Sequence, residues 1–177
     1  MFKKLLLICL IIYCITPSLA QIGSAKAKIV LNFQEQQSLV VKHPFVDIDL
    51  TSSDAFLNGA QTGLLKNHIT VQCSKPYQVS VKTTTAYFLH QGNTSSLPVG
   101  IVKVVPTAHS QTAIETPIDT QEVYLSTTPI IFVQSNNKGN SQNIDINYII
   151  PKETTQSLIN RPAGTYQTEI IYTLIPH

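Results

Sequence analysis

The sequence lacks tryptophan, and only 12% of its 177 residues are charged. No stretch shows the 3.6-residue spacing of apolar side chains that an amphipathic helix requires. These absences argue against a helix bundle or a coiled coil. Low charge does not indicate disorder here, because 43% of the residues are hydrophobic, and that is enough for a packed core.

The sequence has one long apolar run, at its N-terminus. Residues 5–15 are apolar, follow two lysines, and are closed by the small residues Ser18 and Ala20. This order is typical of a secretory signal peptide cleaved after Ala20. We therefore expect residues 1–20 to be a leader and residues 21–177 to form a single domain that is secreted, periplasmic or located at the cell surface.

Two other readings of the leader are a membrane anchor and a lipid anchor. Eleven apolar residues extend about 16 Å as a helix, which is too short for a hydrocarbon core of about 30 Å. A lipid on Cys9 or Cys14 would require a small preceding residue, whereas Ile8 and Tyr13 stand there. Since no second long apolar stretch follows, we expect no membrane span.

Cleavage of the leader changes the charge and the cysteine count. The remaining chain has 10 basic and 10 acidic residues. No basic stripe remains to follow a phosphate backbone, so we expect no nucleic-acid partner. Cys73 is then the single cysteine, which excludes an internal disulfide and a multi-cysteine metal site. Alternation places Cys73 beside Ile69 and Val71, which predicts a small buried hydrophobe.

The residues that are abundant favour β-structure. Valine, isoleucine and threonine supply 48 of the 157 residues after position 20, whereas leucine supplies 11. β-Branched side chains fit a pleated surface and lose rotamer freedom in a helix. A length of 157 residues is typical of one domain with its own core.

Alternation of apolar and polar residues predicts about nine strands. The predicted strands are 26–33, 45–50, 68–73, 77–82, 97–105, 122–126, 129–134, 143–150 and 166–175. Frequent turn signals between them indicate a single immunoglobulin-like β-sandwich. Short helical turns are expected at 54–58 and 153–159, and an exposed hairpin loop at 135–141.

Two of these segments resemble secreted bacterial surface β-sandwiches of the pilin-like, spore-coat-like and WxL-like kind. The C-terminal strand begins with Ala-Gly-Thr-Tyr at 163–166 and then alternates, and the strand at 74–82 begins with Ser-Lys-Pro-Tyr. The tryptophan motif of the WxL group is absent, as is the cysteine pair of many chaperone-assembled pilins. The resemblance implies a fold and a surface setting, and it assigns no binding residue. On the last strand, four side chains share a predicted core-facing side: Tyr166, Ile170, Tyr172 and Leu174.

The histidines show no local metal-ligand spacing. None of the five forms a pair two or four positions apart, and they are His43, His68, His90, His109 and His177. His90 and His109 flank the strand predicted at 97–105, so they would form a metal-dependent hydrolase site only if a carboxylate joined them. We interpret them as solvent-exposed loop residues.

The carboxylates are few, and one small cluster stands out. Asp47 and Asp49 share a strand face at a spacing of about 6.6–6.8 Å, and Asp54 follows nearby. We interpret them as a solvated sheet face, with Ca²⁺ binding as the alternative. A nucleophile elbow and a glycine-rich phosphate loop are both absent. We therefore predict a protein that is not an enzyme and has no cofactor and no metal.

The uncharged polar residues indicate a surface that suits binding to a protein or a glycan. Serine, threonine, asparagine and glutamine supply 55 of the 157 residues after position 20. We predict a structural, adhesion or pilin-like subunit that binds a protein partner through a sheet edge, with residues 21–28 as the donor or edge strand. The alternative is a module for a cell-surface glycan or a small ligand, bound by Tyr87, Phe88 and Tyr124.

Overall fold

The computed structural model describes residues 28–32, 34–108, 118–136, 138 and 141–177. The chain divides into two compact units, Met1–Phe33 and Gln34–His177. In the first unit, the described residues 28–32 form neither helix nor strand. All strands and helices of the described residues belong to the second unit.

The second unit is all-β, as predicted. Its described residues form thirteen strands: β1 Gln37–Val41, β2 Ala60–Gln61, β3 Leu65–Cys73, β4 Tyr77–Thr83, β5 Tyr87–His90, β6 Asn93–Pro98, β7 Lys103–Ala108, β8 Asp119–Thr120, β9 Val123–Tyr124, β10 Ile130–Ser135, β11 Ser141–Ile150, β12 Tyr166–Gln167 and β13 Ile170–Pro176. Nine of them have four or more residues. The helices are short: α1 Ser53–Asn58, α2 Lys152–Thr155, and 3₁₀ turns at Val99–Ile101 and Gln156–Leu158.

The strands form three antiparallel sheets. The first sheet has the order β1-β3-β11-β7-β9, with β2 also paired to β11. The second sheet has the order β13-β4-β10-β8, and the small third sheet has the order β12-β5-β6. At one side of the unit β1 contacts β13, and at the other side β7 contacts β8.

One core joins the first and second sheets. The most deeply buried side chains alternate along the central strands, as with Ile69 and Val71 on β3 and Val79 and Val81 on β4. Cys73 completes the β3 row at 1% exposure, which confirms its prediction as a buried hydrophobe. The predicted core-facing row of the C-terminal segment is also confirmed, because its four side chains pack against this core: Tyr166, Ile170, Tyr172 and Leu174.

Some sequence predictions of local structure are confirmed. The structure contains β3, β4, β10 and β11 close to their predicted positions, β9 as a shorter strand, and both helical turns. Strand 26–33 is not formed at residues 28–32, and its other positions lie outside the described residues. Segment 45–50 also forms no strand. Its alternation is real, because Val46, Ile48 and Leu50 pack against the core, but no neighbouring strand pairs with it.

Three predicted elements are divided or connected differently. The segment 97–105 is broken by a 3₁₀ turn, so β6 belongs to the third sheet and β7 to the first. The C-terminal segment 166–175 is likewise split between β12 and β13. The predicted hairpin at 135–141 is wrong, because the strands on either side of it, β10 and β11, lie in different sheets.

Candidate functional site

The two sheets end at one side in long strands without charge. β1 has the sequence QSLVV and pairs only with β3, and β13 has the sequence IIYTLIP and pairs only with β4, among the described residues. We call β1 and β13 the open flank. Its outer surface carries several apolar side chains, with Val40 53%, Ile171 39% and Ile175 41% exposed. A long, apolar, unpaired edge is a template for pairing with a further strand.

The register identifies the backbone groups of β13 that pair with no strand of the described residues. Thr84 N donates to Glu169 O, and His177 N donates to Pro76 O. Because hydrogen-bonded pairs alternate along an antiparallel ladder and the strands are in continuous register, the odd-numbered residues of β13 bond to β4. The backbone N–H and C=O groups of the even-numbered residues therefore point away from the sheet, from Ile170 through Tyr172 to Leu174.

The opposite side of the two sheets ends differently. Among the residues that the structure describes, the edge strands there are β8 and β9, each two residues long, and we call them the closed flank. Asp119 lies on β8, and Glu122 precedes β9 and forms an ion pair with Lys103. The hydrogen bond from this ammonium group to Glu122 raises the pKa of Lys103. Short edges with charged side chains are poor templates for strand addition.

A chain of polar side chains crosses the core beside the open flank. His43 follows β1, and its Nδ1 lies 3.4 Å from Nδ1 of His68 on β3. His68 Nε2 lies 3.0 Å from the hydroxyl of Tyr148 on β11, and this hydroxyl is hydrogen-bonded to that of Tyr172 on β13. The chain thus links the edge region of the first sheet to the edge strand of the second.

Burial determines the protonation states in this chain. Desolvation, with a smaller contribution from the neighbouring His43, lowers the pKa of His68 to about 4. Burial also raises the pKa of Tyr148 to about 12 and that of Tyr172 well above its ordinary value. At neutral pH, His68 and both tyrosines are therefore uncharged, which suits a buried hydrogen-bonded network.

The third sheet carries a polar groove. The ring of His90 stacks on that of Tyr166, with centroids 4.5 Å apart and planes 20° apart. Arg161 donates to the Ser96 hydroxyl at the same groove. Gly164 has a φ of 134°, and a Cβ there would lie 2.7 Å from His90 Cε1. Glycine is therefore required for the close approach of this segment to the stacked rings.

The predicted aromatic residues are only partly suited to a binding platform. Tyr87 is 45% and Tyr124 is 50% exposed, whereas Phe88 is partly buried and packs against the core. Tyr87 and Phe88 lie on β5 of the third sheet and Tyr124 on β9 of the first. Of the ring contacts found among the described residues, none includes these three side chains.

The predicted acidic cluster is not assembled. Asp49 accepts a hydrogen bond from Thr51 N at 2.8 Å, and hydrogen bonds from Thr51 lower the pKa of Asp49. Asp54 lies in α1, where it accepts from the Asn58 amide at 2.6 Å, and Asp47 is exposed. Within the part of the chain that the structure describes, no three His, Cys, Asp or Glu residues are grouped to hold a metal ion.

Several predictions fall outside the described residues. His109, the leader and residues 21–27 of the predicted donor strand belong to that part of the chain. His90, the predicted partner of His109, is held by its stack on Tyr166 and by a 3.2 Å contact between its Nδ1 and Thr165 O. In the described residues, no helix has the length and hydropathy that a membrane crossing requires.

Comparison with protein-family models and with curated proteins finds no match for this chain. The candidate sites therefore rest on geometry. Sequence patterns did not indicate the chain of His43, His68, Tyr148 and Tyr172, because neighbours along it are 24 to 80 residues apart in sequence. The open edge of β13 did have a signal, since the predicted strand contains no charged residue after Glu169.

Proposed function

We propose that this protein is an exported, non-enzymatic subunit that acts at the cell surface through protein contacts, in a structural, adhesive or pilin-like role. In this proposal the first and second sheets form an immunoglobulin-like sandwich after removal of the leader. The open flank is the observation that carries the proposal. It offers a seven-residue edge strand without charge, and main-chain hydrogen bonds to such an edge supply affinity in β-augmentation.

The proposed partner strand is residues 21–28 of a neighbouring copy. This segment is rich in small residues and carries lysines at positions 26 and 28. An incoming strand beside β13 would bond to the free backbone groups of Ile170, Tyr172 and Leu174. It would also cover the exposed side chains of Ile171 and Ile175, whose burial adds a hydrophobic contribution.

Size-exclusion chromatography with light scattering tests this function on the chain that begins at residue 21. We expect assembly that increases with protein concentration. Thr173→Lys should abolish it, because Thr173 is an exposed residue of β13 and a lysine on an edge opposes strand pairing. The matched control is Thr120→Lys, an exposed threonine on β8 at the other end of the same sheet, which should assemble normally.

Three outcomes are decisive. A chain that is monomeric at every concentration contradicts the proposal. Equal loss of assembly in both lysine variants would show that β13 has no special role. Deletion of residues 21–28 should also abolish assembly, and if it does not, the proposed donor is wrong. Circular dichroism of each variant shows whether it is folded.

The polar groove of the third sheet favours a second candidate function, the binding of a glycan or a small polar ligand. Stacked rings at His90 and Tyr166, with Arg161 beside them, combine a flat apolar surface with hydrogen-bond donors. NMR titration with galactose, mannose and N-acetylglucosamine tests it. Shifts confined to this groove and lost in Arg161→Ala support it, whereas shifts at Tyr87 and Tyr124, or none, reject this location.

A further inference from the structure

Two histidine rings beside the open flank turn the same nitrogen toward each other. His43 Nδ1 and His68 Nδ1 are 3.4 Å apart, and the ring planes lie within 12° of each other, with centroids 5.6 Å apart. This separation is longer than the roughly 2.7–3.2 Å of a well-formed hydrogen bond from a nitrogen donor. Without a metal ion, the two Nδ1 atoms can therefore form only a weak hydrogen bond.

The same separation fits two ligands of one metal ion. Nitrogen ligands about 2.0–2.1 Å from a tetrahedral ion lie about 3.3–3.4 Å from each other. We propose that His43 and His68 bind a divalent transition-metal ion of the zinc and copper class through their Nδ1 atoms. This site is independent of strand addition and belongs to the single chain.

The surroundings of His68 hold its ring in the orientation that the metal requires. A metal on Nδ1 leaves the ring proton on Nε2, and the Tyr148 hydroxyl oxygen is 3.0 Å away to accept it. Tyr148 can then donate its own proton to Tyr172, the next hydroxyl of the chain. Such second partners fix the tautomer and orientation of a metal-binding histidine. Because His68 is 1% exposed, its ring is confined by packing.

His43 is the ligand through which a metal ion can reach the pair from solvent. It lies in the segment that follows β1 and is half-buried, so an ion can reach the pair from this side. Among the described residues no third His, Cys, Asp or Glu joins the two, and the remaining coordination positions are left for water. Open sites of this kind take ions in the order of intrinsic affinity, so Cu²⁺ should bind more tightly than Zn²⁺.

Metal titration of the chain that begins at residue 21, after treatment with a chelator, tests the site. In Zn²⁺ titrations followed by imidazole ¹⁵N NMR, the Nδ1 signals of His43 and His68 should shift at the lowest metal concentrations. With Cu²⁺, electron paramagnetic resonance should show coupling to two nitrogens. His43→Ala should weaken binding at least about tenfold, and Tyr148→Phe by about tenfold through loss of positioning.

His90→Ala and His177→Ala are the controls, and both should bind as the unchanged protein does. His43 is used for the main variant because replacing the buried His68 also removes core packing. If His43→Ala binds metal as tightly as the unchanged protein, the proposal is overturned. It is also overturned if the first metal added shifts only His90 or His177, because the pair is then a hydrogen bond alone.

Discussion

The edge strands on the two sides of the paired sheets differ in length and in charge. On the open flank, β1 and β13 are five and seven residues long and contain no charged residue. On the closed flank, β8 and β9 have two residues each, with Asp119 on β8 and the Lys103–Glu122 ion pair beside β9. Since a short or charged edge opposes further pairing, we propose that any strand addition uses the open flank.

The interior differs between the flanks as well. Beside the open flank, the chain from His43 to Tyr172 places four polar rings between β1 and β13. At the closed flank, Val123 and Leu125 are buried apolar residues, and the carboxylates of Asp119 and Glu122 are exposed. Stability at the open flank should therefore depend on hydrogen bonding and pH, whereas stability at the closed flank should not.

The largest expected effect is the loss of stability in acid. The pKa of His68 is about 4 in the folded protein, against an ordinary value of 6.5. Between these two values the unfolded chain binds a proton at His68 more readily than the folded protein does. The free energy of unfolding is therefore highest above pH 6.5 and decreases as the pH falls toward 4. We expect a loss of about 3 kcal/mol in the free energy of unfolding, measured with urea in the presence of a chelator.

His68→Gln should remove most of this pH dependence, and His90→Gln should retain it. The groups that face His68 are His43, Tyr148 and Tyr172, and both tyrosines remain neutral in this range. An NMR titration of the His68 ring in the unchanged protein gives the same answer without a variant. A midpoint near 6.5 would contradict the account.

The next effect compares a tyrosine of the polar chain beside the open flank with a tyrosine on the closed flank. Tyr148→Phe removes the hydroxyl that bonds to His68 Nε2, so a ring nitrogen of a side chain that is only 1% exposed loses its hydrogen-bond partner. We expect a cost of about 1–3 kcal/mol in urea unfolding. Tyr124→Phe on β9 makes the same chemical change at a side chain that is 50% exposed, and its effect should stay within about 0.5 kcal/mol. Equal costs would show that the flanks do not differ in this way.

The smallest effect concerns the ion pair of the closed flank. Glu122→Gln removes the charge that faces Lys103, and exposed ion pairs contribute little to stability. The urea midpoint should not change measurably. The variant should also remain unable to pair through β9, because a two-residue strand offers too few backbone groups. New assembly in Glu122→Gln that survives Thr173→Lys would show that charge alone had closed this flank.

The sequence predicted the central strands because their apolar residues alternate over most of their length, although each strand also has adjacent buried residues. β3, β4, β10 and β11 carry the apolar residues that form the core. β1 and the β5–β6 hairpin were missed, since their sequences are largely polar or exposed, and the hairpin turns through Gln91 and Gly92 with φ of 51° and 80°. Such two-residue turns need positive φ at both positions, and glutamine is an uncommon residue there.

The candidate sites could be predicted less well than the fold. Alternation that points Ile69 and Val71 inward predicts that His68 points outward, yet His68 is 1% exposed. Asn67 precedes it with a φ of 52° and donates its N–H to Asp145 at 2.6 Å. This left-handed residue interrupts the regular strand next to His68, and local sequence rules do not predict such a position for asparagine with certainty. The partners of His68 come from other strands and are fixed only by the complete fold.

Amide hydrogen exchange along β13 at increasing protein concentration tests the central claim most directly. The N–H groups of Ile171, Thr173 and Ile175 bond to β4 and should be protected at every concentration. Those of Ile170, Tyr172 and Leu174 point away from the sheet, so they should exchange fast in dilute protein and become protected as the protein assembles. Exchange at these three amides that stays fast in a concentrated, assembled sample would contradict strand addition at the open flank.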